Sequence, residues 1–579
     1  MGKRFYEFGP FCIDAAKRVL LRGGAIVPLT RKAFDTLLVL VENRGEVLEK
    51  EELMKRVWPD SFVEENNLNQ SISALRKALG ETAAAQNYIA TVSKRGYRFI
   101  AEVKEYFEED APIEPAFEKG AAINAIAVLP FKSLSLEKTD EYLGLGMADS
   151  LITRLSNIRQ IVVRPTSAVL KYTASSQDPI SAGRELRVRS VLEGSVRRAA
   201  ERIRVTVQLV SIPDGASLWA AKFDESFTDI FAVEDSISER VAEALTLKLT
   251  SEEKTLLTKR YTANAEAYRL YIKGRYYASR LTREGFDKGI ECFNQAIALD
   301  PSYALAYEGL AYYYLESLDL LLPPGEAIPK AREAAKKALE IDEQITEAHT
   351  TLAVVKFYYD RDLAGAERLY RQAIELSPNN AYALTYYGFY LIFMARFTEA
   401  STVLERIREL DPLSLENNVI LGCNYFFARR YDEAIEQFRK VIAMDANYWL
   451  ARINLGRAYE QTGAIASAIA EFEKARLLGG SIPETLGDLG RAYAVAGKSD
   501  EARRVLEELN ERSKTDYVAP YNFAVIYTGL GERDEAFAWL DKAFEARSWY
   551  LTWLKVDPAL DSLRSDERFR DLLRRVGFS

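Results

Sequence analysis

The reading turns on NLNQSISALRKAL (residues 67–79), followed by YIATVSKRGYRF (residues 88–99). On a helix at 100° per residue, Leu68, Ile72, Leu75 and Leu79 fall within about 60° of one another, an apolar stripe facing a core. The opposite side carries Asn66, Gln70, Ser73 and Lys77, flanked by Asn69 and Arg76. Asn and Gln match the N6/N7 edge of adenine, whereas Lys and Arg match guanine or phosphate. A solvated helix face has the same pattern, so the helix alone leaves both readings open. The second stretch shifts the balance. Residues 88–92 and 95–101 predict a hairpin whose tip gathers Lys94, Arg95 and Arg98 around Gly96-Tyr97. Such a tip reaches a phosphate backbone or a minor groove.

Upstream, residues 4–9, 11–14, 19–22 and 25–28 alternate as strands, with Gly23-Gly24 as a hairpin turn. Thr30 is placed to cap a helix over 31–43, with Phe34, Leu37, Leu38 and Val41 on one face and Gly45 past its end. A second helix is expected over 50–57 and a third over 66–79. Three helices followed by a two-stranded wing make a winged helix-turn-helix. Charge agrees with this. Residues 1–104 hold 17 Lys/Arg against 13 Asp/Glu, whereas the whole 579-residue chain has a net charge of -8. Residues 105–123 hold six acids, one lysine and two prolines, the composition of a solvated linker. The only net-basic unit is thus the first hundred residues, as expected of a nucleic-acid-binding module tethered to something else.

The two quoted stretches resemble the OmpR/PhoB-type winged helix, in the version found in CadC-like regulators, over residues 1–104. The resemblance implies a third helix in the major groove and a wing on the adjacent minor groove. Double-stranded DNA is then the partner of Asn66, Asn69, Gln70, Ser73, Arg76, Lys77, Lys94, Arg95 and Arg98. Many relatives carry arginines just before the Leu-Arg of the third helix, where this chain has Ser73-Ala74. No receiver domain is expected before the module. The tether is polar where CadC-like proteins often have a membrane helix, so no membrane partner and a cytoplasmic location are expected.

Residues 124–250 alternate strand and helix, an α/β domain. Gly144-Leu145-Gly146 lacks a third glycine, and no G-x-x-x-x-G-K-[ST] occurs, so a phosphate cradle is disfavoured. Asp140, Glu141 and Asp149 have metal-ligating chemistry, but a charged helix start explains them more simply. IAVLPF, EYLGLGMADSLITRLS, VLEGSVRR and LWAAKFDESFTDIFAVEDSI together resemble the TolB N-terminal-like domain. That resemblance implies no catalytic residue.

From about 263 the chain repeats. Ala366, Ala400, Ala434, Ala468, Ala502 and Ala536 keep a 34-residue step, as do Gly388, Gly422, Gly456 and Gly490, and Tyr425, Tyr459, Tyr493 and Tyr527. Pro378 and Pro412 share the register. This is the tetratricopeptide (TPR) pattern, a helix–turn–helix unit whose small residues sit where two helices meet. The concave side of such an array binds extended peptides. Asn424, Asn454, Arg457 and Asn522 are the partner-binding candidates on the inner helices. Tyr313, Tyr386 and Tyr390 read mainly as packing. His349 is the single histidine, which leaves no His relay or multi-His metal site. Cys12, Cys292 and Cys423 form no pair motif.

The expected fold class is multidomain α+β. A winged helix-turn-helix (1–104) and an acidic linker (105–123) precede a small α/β domain (124–250). An all-α TPR superhelix of about eight repeats (263–548) and a capping segment (549–579) follow. The expected function is a cytoplasmic DNA-binding transcriptional regulator, with no enzymatic activity, cofactor or metal. Its array binds a protein or peptide that alters dimerisation on DNA or recruitment of RNA polymerase. A TPR scaffold whose winged helix contacts protein remains the alternative.

Overall fold

Leu68, Ile72, Leu75 and Leu79 are all buried, so the stripe read from the sequence is the contact face of its helix. The structure is a computed structural model. It describes residues 4–9, 11–14, 18–22, 25–27, 29–58, 65–79, 81, 88–92, 95–101, 103–107, 124–134, 142–158, 160–173, 178–199, 201–247, 249–278, 283–318, 322–479 and 482–578. Gly23-Gly24, Lys94, residues 108–123 of the expected linker, Asp140 and Glu141 lie outside these. The chain forms two units, Met1–Ala122 and Ile123–Ser579.

The first unit opens with β1 (Arg4–Phe8), β2 (Phe11–Asp14), β3 (Val19–Arg22) and β4 (Ala25–Val27). Then come α1 (Arg31–Glu42), β5 (Leu48–Glu49), α2 (Lys50–Val57), α3 (Glu65–Ala78), β6 (Ile89–Val92), β7 (Gly96–Phe99) and β8 (Lys104–Phe107). Thr30 caps α1 by accepting the Ala33 N–H at 3.3 Å. The Lys32 ammonium donates to the Val57 carbonyl at 2.7 Å, joining α1 to the end of α2. Strands β4-β3-β2-β1-β8 form one antiparallel sheet and β5-β7-β6 another. β8 pairs with β1 in the register Phe5↔Tyr106, so residues 105–107, expected as linker, are sheet. The edge-on contact of Phe8 with Phe99, at 5.0 Å, joins the two sheets. At Gly96 an added Cβ would lie 1.9 Å from the Leu48 carbonyl oxygen. Glycine there lets β5 close on the wing.

The second unit begins with β9 (Asn124–Val128), β10 (Lys132–Ser133), α4 (Tyr142–Leu155), β11 (Ile161–Val163), α5 (Thr166–Val169) and α6 (Pro179–Glu185). It continues with β12 (Ser190–Ala199), β13 (Arg202–Ser211), β14 (Ser217–Ser226), α7 (Ile230–Ala244) and α8 (Ser251–Leu257). The sheet runs β11-β9-β12-β13-β14, parallel at β11-β9-β12 and antiparallel beyond. Eight helix pairs follow among the described residues. They are α9 (Ala265–Ala278) with α10 (Arg283–Leu299), α11 (Ala304–Glu316) with α12 (Pro324–Ile341), and α13 (Thr346–Val355) with α14 (Leu363–Leu376). Next are α15 (Ala381–Phe393) with α16 (Phe397–Leu410), α17 (Leu415–Phe427) with α18 (Tyr431–Met444), and α19 (Trp449–Gln461) with α20 (Ile465–Gly479). The last are α21 (Pro483–Val495) with α22 (Ser499–Arg512) and α23 (Pro520–Leu530) with α24 (Arg533–Glu545). The repeat glycines have a direct cause. A Cβ at Gly422 would sit 2.3 Å from the Phe438 ring, and one at Gly456 2.6 Å from the Phe472 ring. In these two pairs the second helix thus inserts a fully buried phenylalanine against bare backbone of the first, whereas Gly388 meets Leu404 instead.

Two features of this unit are not periodic. First, the α/β region docks on the array. Arg164, 4% exposed, donates to the carbonyls of Glu409 (2.5 Å) and Leu410 (2.7 Å) at the end of α16, and to those of Leu186 and Arg187. A cation at a helix C-terminus satisfies carbonyls that have no partner within the helix. The buried Glu234 carboxylate accepts from Arg154, Ser150 and Tyr268, joining α4, α7 and α9. Asp149 accepts from Thr166 and Arg275, so it serves a domain contact.

Second, residues 549–563 line the inside of the array. The Trp553 ring meets Phe393, Phe427, Trp549 and Tyr550 at 5.1–6.0 Å, and the Arg457 guanidinium lies 5.2 Å over it. Tyr550 stacks on Tyr521 at 5.3 Å and donates to Glu484 at 3.0 Å. First helices of five successive pairs thus touch one short segment, which only their shared concave side permits. Arg547 donates to the Tyr359 carbonyl at 2.7 Å, so the end of the array returns to its third pair. The polar end cap is α25 (Glu567–Val576), held to α24 by Arg568–Asp534 and Arg575–Asp541 pairs. Removing this large ring leaves a cavity. Trp553→Ala should lower the stability of the second unit by about 3–5 kcal/mol in urea denaturation followed by circular dichroism.

Candidate nucleic-acid interface

α3 is presented by burial on one side and by bonds to the wing on another. Gln70, Ser73 and Lys77 are exposed, as the helical wheel required. Asn67 and Ala74 are exposed on the same side, next to Gln70 on the wheel. These two were not among the expected contact residues, although the 100° spacing that selected Gln70 already placed them beside it. The side chain of Asn66 is outside what the structure describes.

Two expected DNA contacts are occupied within the unit. The Arg76 guanidinium donates to the Ile89 carbonyl at 2.9 Å and to Thr91 Oγ1 at 2.8 Å. It also faces the Glu81 carboxylate at 3.7 Å. Glu81 in turn accepts from the backbone N–H of Ile89 at 3.1 Å and from that of Tyr88. Arg76 is therefore a bridge from α3 to β6, and its charge is directed inward. Asn69 is exposed, but its amide oxygen accepts from the Tyr97 hydroxyl at 2.8 Å, a bridge from α3 to β7. Together these bonds fix helix and wing as one piece. Arg95 and Arg98 are exposed on that wing. The surface so formed is one amide- and hydroxyl-bearing helix edge beside a cationic hairpin tip.

The array gives a different result. Asn424, Asn454 and Asn522 are 1%, 5% and 4% exposed. Asn424 donates to Ser401 at 2.9 Å and Asn454 to the Leu450 carbonyl at 2.9 Å. Arg457 pairs with Glu484 at 2.7 Å and Asp488 at 2.7 Å beneath Trp553. These four, expected on an open concave face, are packed inside: Asn424 and Asn454 bond within the array's own helices, Asn522 is buried, and Arg457 lies under Trp553 of the segment 549–563. Tyr313 and Tyr390 are buried, and His349 Nε2 meets the Glu343 carbonyl at 2.8 Å. Burial pushes the Cys423 thiol up to about 12. Among the described residues no group of three His, Cys, Asp or Glu is placed to hold a metal, and no helix is long and apolar enough to cross a membrane.

Comparison with known proteins agrees with this geometry. Residues 24–99 match the family model "Transcriptional regulatory protein, C terminal", and residues 357–416 and 421–481 match tetratricopeptide repeat models. Residues 122–240, similar in sequence reading to a TolB N-terminal-like domain, match the second domain of HilA/YgeH-like transcriptional regulators. The chain is 23% identical to the transcriptional regulator HilA of Salmonella typhimurium over 553 residues, 94% of this chain and 95% of that one. It is 36% identical to the transcriptional activator CadC of Escherichia coli over 103 residues, 18% of this chain and 20% of CadC. It is 32% identical to a putative adenylate cyclase 3 of Rhizobium meliloti over 234 residues. There it spans 40% of the relative's length.

The Arg76 bridge makes a stability statement. Arg76→Ala leaves the Ile89 carbonyl short of a donor and the Glu81 carboxylate without its counter-charge, and should cost the first unit roughly 1–3 kcal/mol. Ser73→Ala, on the exposed edge, should stay within about 0.5 kcal/mol. Thermal melts of the two variants compare them directly.

Proposed function

We propose that this transcriptional regulator, homologous to HilA and CadC and carrying an OmpR/PhoB-type DNA-binding domain with tetratricopeptide repeats, acts in the cytoplasm by inserting α3 into the major groove of promoter DNA. The β6–β7 tip then lies on the adjacent backbone through Arg95 and Arg98. The carrying observation is the orientation of α3: Leu68, Ile72 and Leu75 are buried while Gln70, Ser73 and Lys77 are exposed beside the cationic wing. The bonds from Arg76 and Asn69 to the wing support this reading, since they hold both elements in one register for a duplex.

The protein partner is assigned to the outer surface of the second unit, because the inner one is covered by the chain itself. Two such modules on adjacent half-sites gain affinity by linkage, which supports a dimer on DNA. Contact of the array with RNA polymerase is the route by which a docked regulator acts on transcription.

Binding to phosphate releases counterions, so affinity falls with salt. Intact protein on a promoter-duplex pool should show sequence-selective retention that weakens steeply with salt. Lys77→Ala with Arg95→Ala should flatten the log–log slope by about 2. Retention that ignores both salt and these substitutions would contradict the assignment.

A further inference from the structure

The exposed edge of α3 is unusual in what it lacks. Arginine or lysine reaching guanine O6/N7 is the commonest specific contact to a base edge. The one arginine of α3, Arg76, is committed to Thr91, the Ile89 carbonyl and Glu81. At positions 73 and 74, beside Gln70 on the exposed edge, stand a serine and an alanine. What remains on the edge is Asn67, Gln70, Ser73, Ala74 and Lys77, spread over about 15 Å of helix.

Each of these has a defined chemistry in a major groove. A primary amide pairs bidentately with adenine N6/N7. An alanine methyl makes apolar contact with the thymine C5-methyl. A serine hydroxyl serves either kind of base pair. Lys77, in the last turn of the helix, is the only cation left on the edge, and a lysine there serves phosphate as well as guanine. Asn67 and Gln70 lie within one helical turn, and Ala74 follows Gln70 by one further turn on the same side. The edge therefore presents two amides and a methyl in a row.

We propose that α3 reads an A·T core, with Asn67 and Gln70 on adenines and the Ala74 methyl against a thymine C5-methyl, while Asn69 and Arg76 are positioning residues that set the helix against the wing. This rests on the major-groove reading above and goes beyond it by naming the base class. Ala74 is then a specificity-determining residue, and Asn67 joins the contact set.

The test begins with selection of bound sites from a random duplex pool by the intact protein. The selected site should contain a run of A·T pairs in each half-site. Thymines of that run are then replaced one at a time by deoxyuracil, which removes only the C5-methyl. One replacement should weaken binding about fourfold, the value of one buried methyl group. Ala74→Gly should abolish that thymine-over-uracil difference while keeping the salt-dependent binding. Ala74→Arg, a better helix former than glycine, should move the preference at the same step towards G·C. A selected core of G·C pairs, uracil replacements without effect, or an unchanged motif in Ala74→Arg would each overturn the proposal while leaving DNA binding standing. No enrichment of any sequence, with no salt-dependent retention, would overturn the major-groove reading itself.

Discussion

The Arg76 bridge decides what the first unit can offer to a duplex. One guanidinium on α3 reaches a backbone carbonyl and a hydroxyl of β6 and faces a buried carboxylate. That links two elements separated by residues 79–88 in the chain. The Asn69–Tyr97 bond adds a second point on the same side. A helix held at two points and buried along Leu68, Ile72 and Leu75 has one edge left, and its rotation is fixed. On the proposed reading, specificity then rests on which small polar and apolar groups occupy that edge, with charge from the wing and Lys77.

The second unit follows a different logic. A TPR array usually exposes a concave surface, but here the chain fills it. Residues 549–563 place Tyr550 and Trp553 against first helices from the fourth pair to the eighth and Trp549 against Tyr358, just past α13, while Arg164 ties the α/β sheet to the end of α16. Tyr550, Leu551, Trp553, Leu554 and Val556 are buried there as part of the unit's core, each aliphatic side chain contributing about 1.5–3 kcal/mol. The array is consequently a scaffold that holds its own α/β region and its own tail. The surfaces left open are the outward-facing helices and that α/β region.

Much of this was legible from local rules. The three helices and the wing follow from spacing within one or two turns, and the repeat period from residue types recurring every 34 positions. The repeat glycines predicted close helix contact, and the Gly422–Phe438 and Gly456–Phe472 approaches are that contact. What stayed hidden depends on long-range partners. β8 reads as acidic linker until it pairs with β1. Arg76 looks like a DNA contact until β6 is placed beside it. Asn424, Asn454, Arg457 and Asn522 do lie on the inner helices, but no periodicity shows that the asparagines are buried or that a tail from beyond the last repeat returns over Arg457. Polar residue type marks a face without telling whether water, a partner or the chain itself occupies it.

The central claim is that the edge bearing Gln70 and Ser73 faces base pairs. A photo-crosslinker attached through Ser73→Cys, in the intact protein bound to its selected duplex, tests it most directly. The account predicts adducts on bases within each half-site, and none when the same group is attached through Leu477→Cys on the outer array, where Leu477 is 85% exposed. Adducts from the Leu477 position with none from the Ser73 position would contradict it.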